Sequence, residues 1–183
     1  CAPENTVLCV REPPDVLRLP AKYVNQFALV ISPTKVPGRA KWIRSQFGQI
    51  WSFALSHSEL VRATPPRKVL ALSTVTSSKM LTRGQCQRLK LLEILKNYFG
   101  DSLHHFGRGF TPVSDKWEAI APYRYHLVFE NGTWPHYWTE KLTDAFLGFS
   151  LPLYAGCSNI NDYFDAGSIL EINTKNAKDA IAK

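Results

Sequence analysis

Short apolar runs alternate with amphipathic segments along most of the chain. The run Lys68–Thr74 (KVLALST) has the length and apolar content of a buried strand. In Thr82–Tyr98, which follows, three leucines recur on one helical face and Thr82 is placed to cap the helix. The same pattern predicts further strands at Thr6–Val10, Phe27–Ser32, Tyr125–Phe129, Leu151–Tyr154 and Ile169–Ile172, and further helices at Val16–Gln26, Ser114–Ile120 and Thr139–Leu147.

This order of elements predicts the fold class. Strands that alternate with helices of about 10–15 residues are typical of a parallel sheet with helices on both faces. We therefore predict an α/β, Rossmann-like fold, in which ligands bind at the carboxyl ends of the strands. Between Pro33 and Pro66 the pattern is weakest, and it predicts a bridging loop with one helix, Arg39–Leu55.

Composition and charge narrow the function. The chain has 183 residues, of which 45% are hydrophobic and 20% charged, values typical of one globular domain. The formal net charge is +7, but the basic residues are scattered, which argues against a nucleic-acid-binding arm. A positive surface suits a small anionic ligand such as a nucleotide diphosphate, and it is equally consistent with an ordinary solvated surface.

The cysteines and the chain ends give weaker indications. Cys1, Cys9, Cys86 and Cys157 form no CxxC pair, which argues against a zinc site or a disulfide framework and favours a reducing, intracellular setting. No apolar run is long enough to span a bilayer, and no signal peptide is visible. The sequence lacks an initiator Met and ends as a helix opens at Asn176, so we expect it to be part of a longer protein.

The densest chemical signal lies between Tyr123 and Gly156. A buried strand ends in Glu130-Asn131, an aromatic loop follows, and a helix begins at Thr139-Glu140-Lys141. A helix N-terminus carries free N–H groups and a partial positive charge, so this junction suits an anionic ligand. The same residues also suit a capped surface helix with no ligand, and spacing alone favours that second interpretation.

A longer motif distinguishes the two interpretations. FENGTWPHYWTEK resembles the signature of the glycosyltransferase family 10 α1,3/4-fucosyltransferases, and DAFLGFSLPLYAG with GCSNINDYF continues the match. A weaker similarity extends from about Val7 to Ile172. The resemblance implies the donor-binding half of a B-type, two-domain glycosyltransferase. We expect residues 1–183 to form that single domain, with 1–15 as the end of a largely missing N-terminal acceptor domain.

The resemblance also implies roles for four residues of this segment. Lys141 would neutralise the diphosphate of GDP-fucose, and Glu140 would hold its ribose. Asn131 would contact the donor near the sugar, and Tyr137 would line the nucleotide pocket. These roles agree with the local physics, because fixed cations stabilise a departing diphosphate.

Two more residues come from outside this segment. The family places an arginine early in the helix after KVLALST. Arg88 fits this position best, and Arg83 is the fallback. Without the resemblance to the family, either residue would be interpreted as a surface arginine. The family's general base lies in a Glu-Ser-Pro motif, which corresponds here to Glu12-Pro13-Pro14. Glu12 is therefore the candidate base, although Pro13 replaces the serine and a carboxylate in a rigid turn is an equal alternative.

The function implied is transfer of fucose from GDP-fucose to a sugar hydroxyl, with inversion and on an N-acetylglucosamine unit of a glycan. We expect no obligatory metal or cofactor, and no nucleic-acid partner or transmembrane segment; oligomerisation is left open. The expected location is cytoplasmic or at the membrane periphery, or the Golgi lumen in a eukaryote. Two alternatives stay open: a non-catalytic fragment that binds a nucleotide sugar, and a transferase of the same fold that uses another nucleotide sugar.

Overall fold

The structure, a computed structural model, describes residues 2–182, except for the side chain of Asp179. It contains eight strands and six α-helices. The strands are β1 Val7–Cys9, β2 Leu29–Ser32, β3 Lys41–Arg44, β4 Leu70–Val75, β5 Leu103–Phe106, β6 Tyr123–Phe129, β7 Leu151–Ala155 and β8 Leu170–Glu171. The helices are α1 Ala21–Val24, α2 His57–Arg62, α3 Arg83–Phe99, α4 Lys116–Ile120, α5 Glu140–Leu147 and α6 Ala177–Ala182.

The larger sheet is parallel, with the strand order β5-β4-β6-β7-β8. From β4 the chain passes through α3 to β5 on one side, and then through α4 to β6 on the other side of β4. The connections therefore diverge between β4 and β6. In open α/β sheets a ligand binds at such a switch point, outside the carboxyl ends of the strands. The predicted α/β fold class is confirmed.

Helices cover both faces of this sheet because its strands are apolar on both sides. Leu127 of β6 packs with Leu91, Leu92 and Leu95 of α3, and α6 adds Ala180 to the same cluster. The next residue, Val128, points to the opposite face and packs with Leu142 and Ala145 of α5. Thr82 caps α3 as predicted, its side chain accepting from the main-chain N–H of Gln85 at 3.2 Å.

A smaller parallel sheet, β1-β2-β3, precedes the large one. Its own core consists of Val10, Val24 and Val30, which are at most 5% exposed. This sheet extends to Arg44, well beyond residue 15. The boundary and function of an acceptor domain stay predictions.

Two predicted helices are wrong. Within Arg39–Leu55 the structure has β3 and then irregular chain, because Trp42 and Ile43 alternate and pair in register with β2. Within Val16–Gln26 only Ala21–Val24 is helical, since Pro20 has an extended backbone and removes an N–H from the helix interior.

The irregular segment 45–56 joins the small sheet to the large one. Gln49 donates to the carbonyl oxygen of Trp138 (2.8 Å), and the N–H of Ser52 donates to the carboxylate of Asp144 (2.9 Å). Phe53, 8% exposed, packs edge-on against Trp117. These contacts fix the small sheet beside the N-terminus of α5.

Two sequence expectations concern the whole chain. Cys9, Cys86 and Cys157 are free thiols, and Cys1 lies outside the described residues. Within residues 2–182, no helix combines the length and the apolar character needed to cross a membrane.

Candidate active site

Polar side chains gather where β4 and β6 end, at the switch point of the large sheet. β4 continues into Ser77, and β6 continues into Glu130 and Asn131. The chain then forms a loop, 131–138, and enters α5 at Thr139, the N-cap residue. The N-terminus of α3 lies against this loop: a Cβ added at Gly84 would lie 2.5 Å from the carbonyl oxygen of Asn131. Glycine is therefore required for this close approach.

Arg88 connects the ends of the two strands. Only 4% of its surface is exposed; Nη1 donates to Oδ1 of Asn131 and Nη2 to the carbonyl oxygen of Ser77, both at 3.3 Å. Among the described residues no carboxylate pairs with it, and its Nε has no hydrogen-bond partner. Burial lowers the pKa of the guanidinium, which still stays cationic. A buried cation without a counter-charge is thus available to an anionic ligand.

A cavity of about 220 Å³ opens beside Arg88. The first turns of α3 contribute Arg83, Gly84 and Arg88 to its wall, and the loop that follows β6 contributes Asn131 and Trp134. Asp15, Glu130, Ala155, Thr174 and Lys175 also line it. Arg83, the fallback candidate, lines the same cavity but is exposed. Arg88 is the buried arginine and the one bonded to Asn131, so the geometry favours it over Arg83.

The start of α5 is held by a buried carboxylate. Glu130 is 4% exposed and accepts two hydrogen bonds from Thr139, one from the main-chain N–H and one from Oγ1, both at 2.7 Å. Lys141 is the second residue of α5, with Nζ 3.0 Å from Thr139 Oγ1, 3.5 Å from Glu130 Oε2 and 3.6 Å from Glu140 Oε1. Glu130 therefore fixes both the N-cap and the ammonium group.

The charges at this helix start are strongly coupled. Burial acts to lower the pKa of Lys141, but Glu130, Glu140 and Glu12 outweigh it and raise the pKa above its usual value. Burial raises the pKa of Glu130, while Lys141 and the Thr139 hydrogen bonds act in the opposite direction. For Glu140 burial also acts upward, yet Lys141 and Lys116 hold its pKa below the usual value. Lys141 therefore stays protonated.

Glu12 reaches the same region from the small sheet. It follows β1, and its Oε2 accepts a weak hydrogen bond from Nδ2 of Asn131 at 3.4 Å. Glu12 lines a second cavity of about 230 Å³ between the two sheets. The small sheet and segment 45–56 contribute Arg11, Glu12, Phe47 and Gln49, and the large sheet contributes Tyr137, Thr139, Glu140 and Lys141. A carboxylate and an ammonium group thus line one cleft.

Tyr137 closes the buried side of this cleft. It is fully buried, and its hydroxyl makes no well-formed hydrogen bond within the described residues, although the side chain of Asn131 is near enough to act on its pKa. Burial raises its pKa well above the usual value, and the charge of Glu130 adds to the shift. The preceding residue, His136, has a φ of 60° and is held by Asn159, whose Oδ1 accepts its N–H at 2.7 Å, and by Tyr163, 2.6 Å from its Nδ1. This fixed loop places the tyrosine.

The structure brings the six predicted site residues into two neighbouring cavities. Arg88 and Asn131 line the first cavity, while Glu12, Tyr137, Glu140 and Lys141 line the second. The hydrogen bonds from Arg88 to Asn131 and from Asn131 to Glu12 connect them. The roles assigned to these six residues stay predictions.

Three residues that shape the site were not among the predicted site residues. Glu130 had a signal, because it is a carboxylate placed directly at the end of a buried strand. Arg11 and Gln49 had none, since their approach to α5 depends on how segment 45–56 packs. Across residues 2–182, no three His, Cys, Asp or Glu side chains are grouped to hold a metal ion. Metal independence stays a prediction.

Sequence comparison identifies relatives for part of the chain. No family model matches it. The human "4-galactosyl-N-acetylglucosaminide 3-alpha-L-fucosyltransferase 9" is 35% identical over 86 residues, which is 44% of this chain and 24% of the relative. An Arabidopsis thaliana "putative fucosyltransferase-like protein" is 29% identical over 134 residues, 72% of this chain and 26% of that protein. The chain thus matches about a quarter of the length of these curated relatives.

Solved structures show the same fold. An α1,3-fucosyltransferase with GDP-fucose superimposes with a TM-score of 0.62 at 20% identity, covering 96% of this chain and 61% of that one. An α1,3-fucosyltransferase with GDP gives a TM-score of 0.63 at 19% identity, covering 96% and 60%. The predicted resemblance is confirmed: part of this chain is similar in sequence to fucosyltransferases, and the chain shares the fold of solved α1,3-fucosyltransferase structures.

Proposed function

We propose that this chain transfers fucose from GDP-fucose to a sugar hydroxyl, with inversion at the anomeric carbon. Supporting this are the fucosyltransferases it resembles and the solved structures of the same fold that hold GDP-fucose or GDP. The observation that carries the proposal is the cleft between the two sheets. Glu12 from one sheet and Lys141 from the other line it, and the buried Arg88 lies one hydrogen-bonded residue away.

Lys141 and Arg88 stabilise the leaving group in this proposal. Negative charge develops on the diphosphate as the bond between the anomeric carbon and the phosphate oxygen breaks. Pre-placed cations in a partly buried site stabilise that charge without reorganising. The partial positive charge at the N-terminus of α5 acts in the same direction.

Three polar residues position the donor. Glu140, which stays ionised because its pKa is lowered, accepts hydrogen bonds from ribose hydroxyls. Asn131, held between Arg88 and Glu12, contacts the donor near the sugar. Tyr137 has a buried hydroxyl that makes no well-formed hydrogen bond within the described residues, so it is free to bond the nucleotide.

Glu12 acts as the general base. Its carboxylate takes the proton of the acceptor hydroxyl while that oxygen attacks the anomeric carbon, and the bond to GDP breaks on the opposite face. The carbon therefore inverts, GDP leaves with the bonding electron pair, and the proton remains on Glu12. No metal ion is needed for charge balance, because the two cations face the diphosphate.

The acceptor we propose is an N-acetylglucosamine unit of a glycan. The name of the human relative specifies a 4-galactosyl-N-acetylglucosaminide as its acceptor. The cellular location and the oligomeric state of this chain stay predictions.

Replacing Glu12 by glutamine tests the assignment of the base. We expect transfer to fall by at least about 100-fold, as loss of a general base does, while GDP-fucose binding stays unchanged. Initial transfer rates and calorimetric titrations on the same preparations measure both quantities. The matched control is Glu4→Gln, which changes an exposed carboxylate in the turn before β1. Full activity in Glu12→Gln would overturn the assignment, and transfer abolished by added EDTA would overturn metal independence.

A further inference from the structure

A buried carboxylate, Asp144, lies on α5 and lines neither of the two site cavities. It is 1% exposed and follows Glu140 by about one helical turn. Its Oδ2 accepts a hydrogen bond from Nζ of Lys116, and its Oδ1 accepts the main-chain N–H of Ser52, both at 2.9 Å. Burial raises the pKa of Asp144, and the bonds from Lys116 and Ser52 act in the opposite direction. A buried charge is costly unless its partners compensate, so these two contacts indicate what the carboxylate holds.

Asp144 and a second carboxylate hold segment 45–56 against the helices of the large sheet. Asp115, the N-cap residue of α4, accepts the N–H of Ala54 at 3.0 Å. Phe53, which precedes Ala54, is buried against α4. Alternate N–H groups of the segment thus donate to the two carboxylates, so Asp144 holds main chain and not a side chain.

The other end of the segment reaches the residue beside Glu12. The guanidinium of Arg11 lies over the ring of Phe47, 5.9 Å from its centre. Arg11, Glu12 and Phe47 line the same cleft as Lys141. Contacts therefore lead from α5 through segment 45–56 to the candidate base.

The proposed reaction requires this docking to be accurate, and the inference rests on that reaction. Glu12 follows β1 of the small sheet, whereas Glu140 and Lys141, which hold the donor in the proposal, begin α5. The hydrogen bond that joins Glu12 directly to Asn131 is long, at 3.4 Å, so it fixes the carboxylate weakly. A misplacement of about 1 Å between reacting groups can lower the rate by about 100-fold. The contacts of segment 45–56 must therefore set the distance between base and donor.

We propose that Asp144, with Lys116 as its counter-ion, is a positioning residue that sets the place of Glu12 relative to the donor on α5. It acts through the N–H of Ser52 and contacts neither the donor nor the acceptor. Its loss should therefore slow the transfer step and leave the affinity for GDP unchanged. A carboxylate that only stabilised the fold would change the free energy of unfolding and would leave kcat of the folded enzyme as it is.

Asp144→Asn keeps the shape of the side chain and an acceptor oxygen for Ser52, but removes the charge. A charge-assisted hydrogen bond is about twice as strong as a neutral one, so the amide of Ser52 should exchange its hydrogen about fivefold faster or more. We expect kcat to fall about tenfold or more, while the Kd for GDP stays within about twofold. Hydrogen exchange followed by NMR, initial transfer rates and calorimetry measure the three quantities. Asp101→Asn, which neutralises an exposed carboxylate before β5, is the matched control and should change none of them.

Ser52→Pro removes the same hydrogen bond from the other side, at an exposed position and without changing α5. It should lower kcat in the same way. Asp144→Asn should add little to it, because both changes break one contact and their effects are then not additive. Lys116→Arg keeps the ion pair and should retain kcat within about threefold.

The outcomes separate this inference from the proposed function. Full kcat in a folded Asp144→Asn variant, or independent losses in the double variant, would overturn the inference while the transferase stands. A matching loss of GDP affinity would also overturn it, since Asp144 would then act on the donor site. If the unmodified chain binds GDP-fucose but transfers no fucose, the proposed function fails and the exchange of Ser52 decides the docking contact. Unchanged exchange in Asp144→Asn overturns that contact too, and faster exchange keeps it.

Discussion

Replacing Lys141 by alanine removes the cation at the start of α5. A hydrogen bond to a charged group contributes about 1.5–3 kcal/mol, so its loss should weaken the binding of GDP by about 10- to 150-fold. The lower half of that range applies, because 26% of the side chain is exposed and water can replace part of the interaction. GDP-fucose should lose less affinity than GDP, since its diphosphate carries less charge.

The same substitution has a consequence inside the protein. Glu130 is buried, and Lys141 is the cation that offsets its burial. Without it the pKa of Glu130, already raised, rises further. A carboxyl group whose pKa is higher in the folded than in the unfolded state stabilises the protein least when the pH exceeds that folded pKa. The Lys141→Ala variant should therefore lose more stability at pH 7 than at pH 5, relative to the unmodified chain.

Calorimetric titration with GDP measures the first effect, and urea unfolding at the two pH values measures the second. Lys141→Arg serves as the conservative variant and should recover part of the affinity. Lys90→Ala, which removes an exposed lysine on α3 outside both site cavities, is the control for net charge. A folded Lys141→Ala variant that binds GDP within about twofold of the unmodified chain, a difference near 0.4 kcal/mol, would refute the donor site at α5.

Three further predictions concern the scaffold of the site. Gly84→Ala should lower the free energy of unfolding by about 1–3 kcal/mol, because the added methyl group overpacks against the loop after β6. Gly167→Ala is the control, since a methyl group added there meets nothing within 4 Å. A more stable Gly84→Ala variant, as expected in an open helix, would contradict the close approach. Lys68→Met should lower the free energy of unfolding by about 2 kcal/mol, because Nζ donates at 2.7 Å to carbonyl oxygens at the ends of both α4 and α5. An unchanged midpoint of urea unfolding would disprove this stabilising role of Lys68. Burial lowers the pKa of His126 to about 3, so below about pH 6.5 the unfolded chain binds more protons than the folded chain. The free energy of unfolding should therefore fall by about 1.4 kcal/mol per pH unit toward pH 3. His126→Gln should remove that slope, and a slope that persists in the variant would assign it to other groups.

The strands of the large sheet show what local sequence can predict. β4, β6 and β7 are mostly apolar because both faces of the sheet are covered, so their pattern is visible without tertiary information. β5 was missed since half of its residues are histidines; His105 is nevertheless buried, stacked on Phe110 at 3.7 Å. β3 was missed because it is short and mostly exposed, and its pairing with β2 alone defines it.

The site residues also differ in how far they could be predicted from local sequence. The partners on either side of the 131–138 loop lie close in sequence, so a motif could identify Asn131, Glu140 and Lys141 together. Glu12 and Asn131 are 119 residues apart, and their hydrogen bond depends on how the small sheet docks against α5. That docking rests on Gln49 and Ser52, in a segment whose sequence predicted a helix. Long-range packing of an irregular segment leaves no periodic signal.

Pro13 stands where the Glu-Ser-Pro motif has a serine, and this difference affects the backbone next to Glu12. A proline restricts the residue before it to extended backbone, so Pro13 limits the conformations of Glu12. Pro13 itself is buried, and its carbonyl oxygen accepts the N–H groups of Val16 and Leu17, both at 2.9 Å. A serine at this position would add a hydroxyl but would leave Glu12 freer. The substitution therefore stiffens the turn that presents the carboxylate to Asn131, which is compatible with a general base and costs the site no group that lines the cleft.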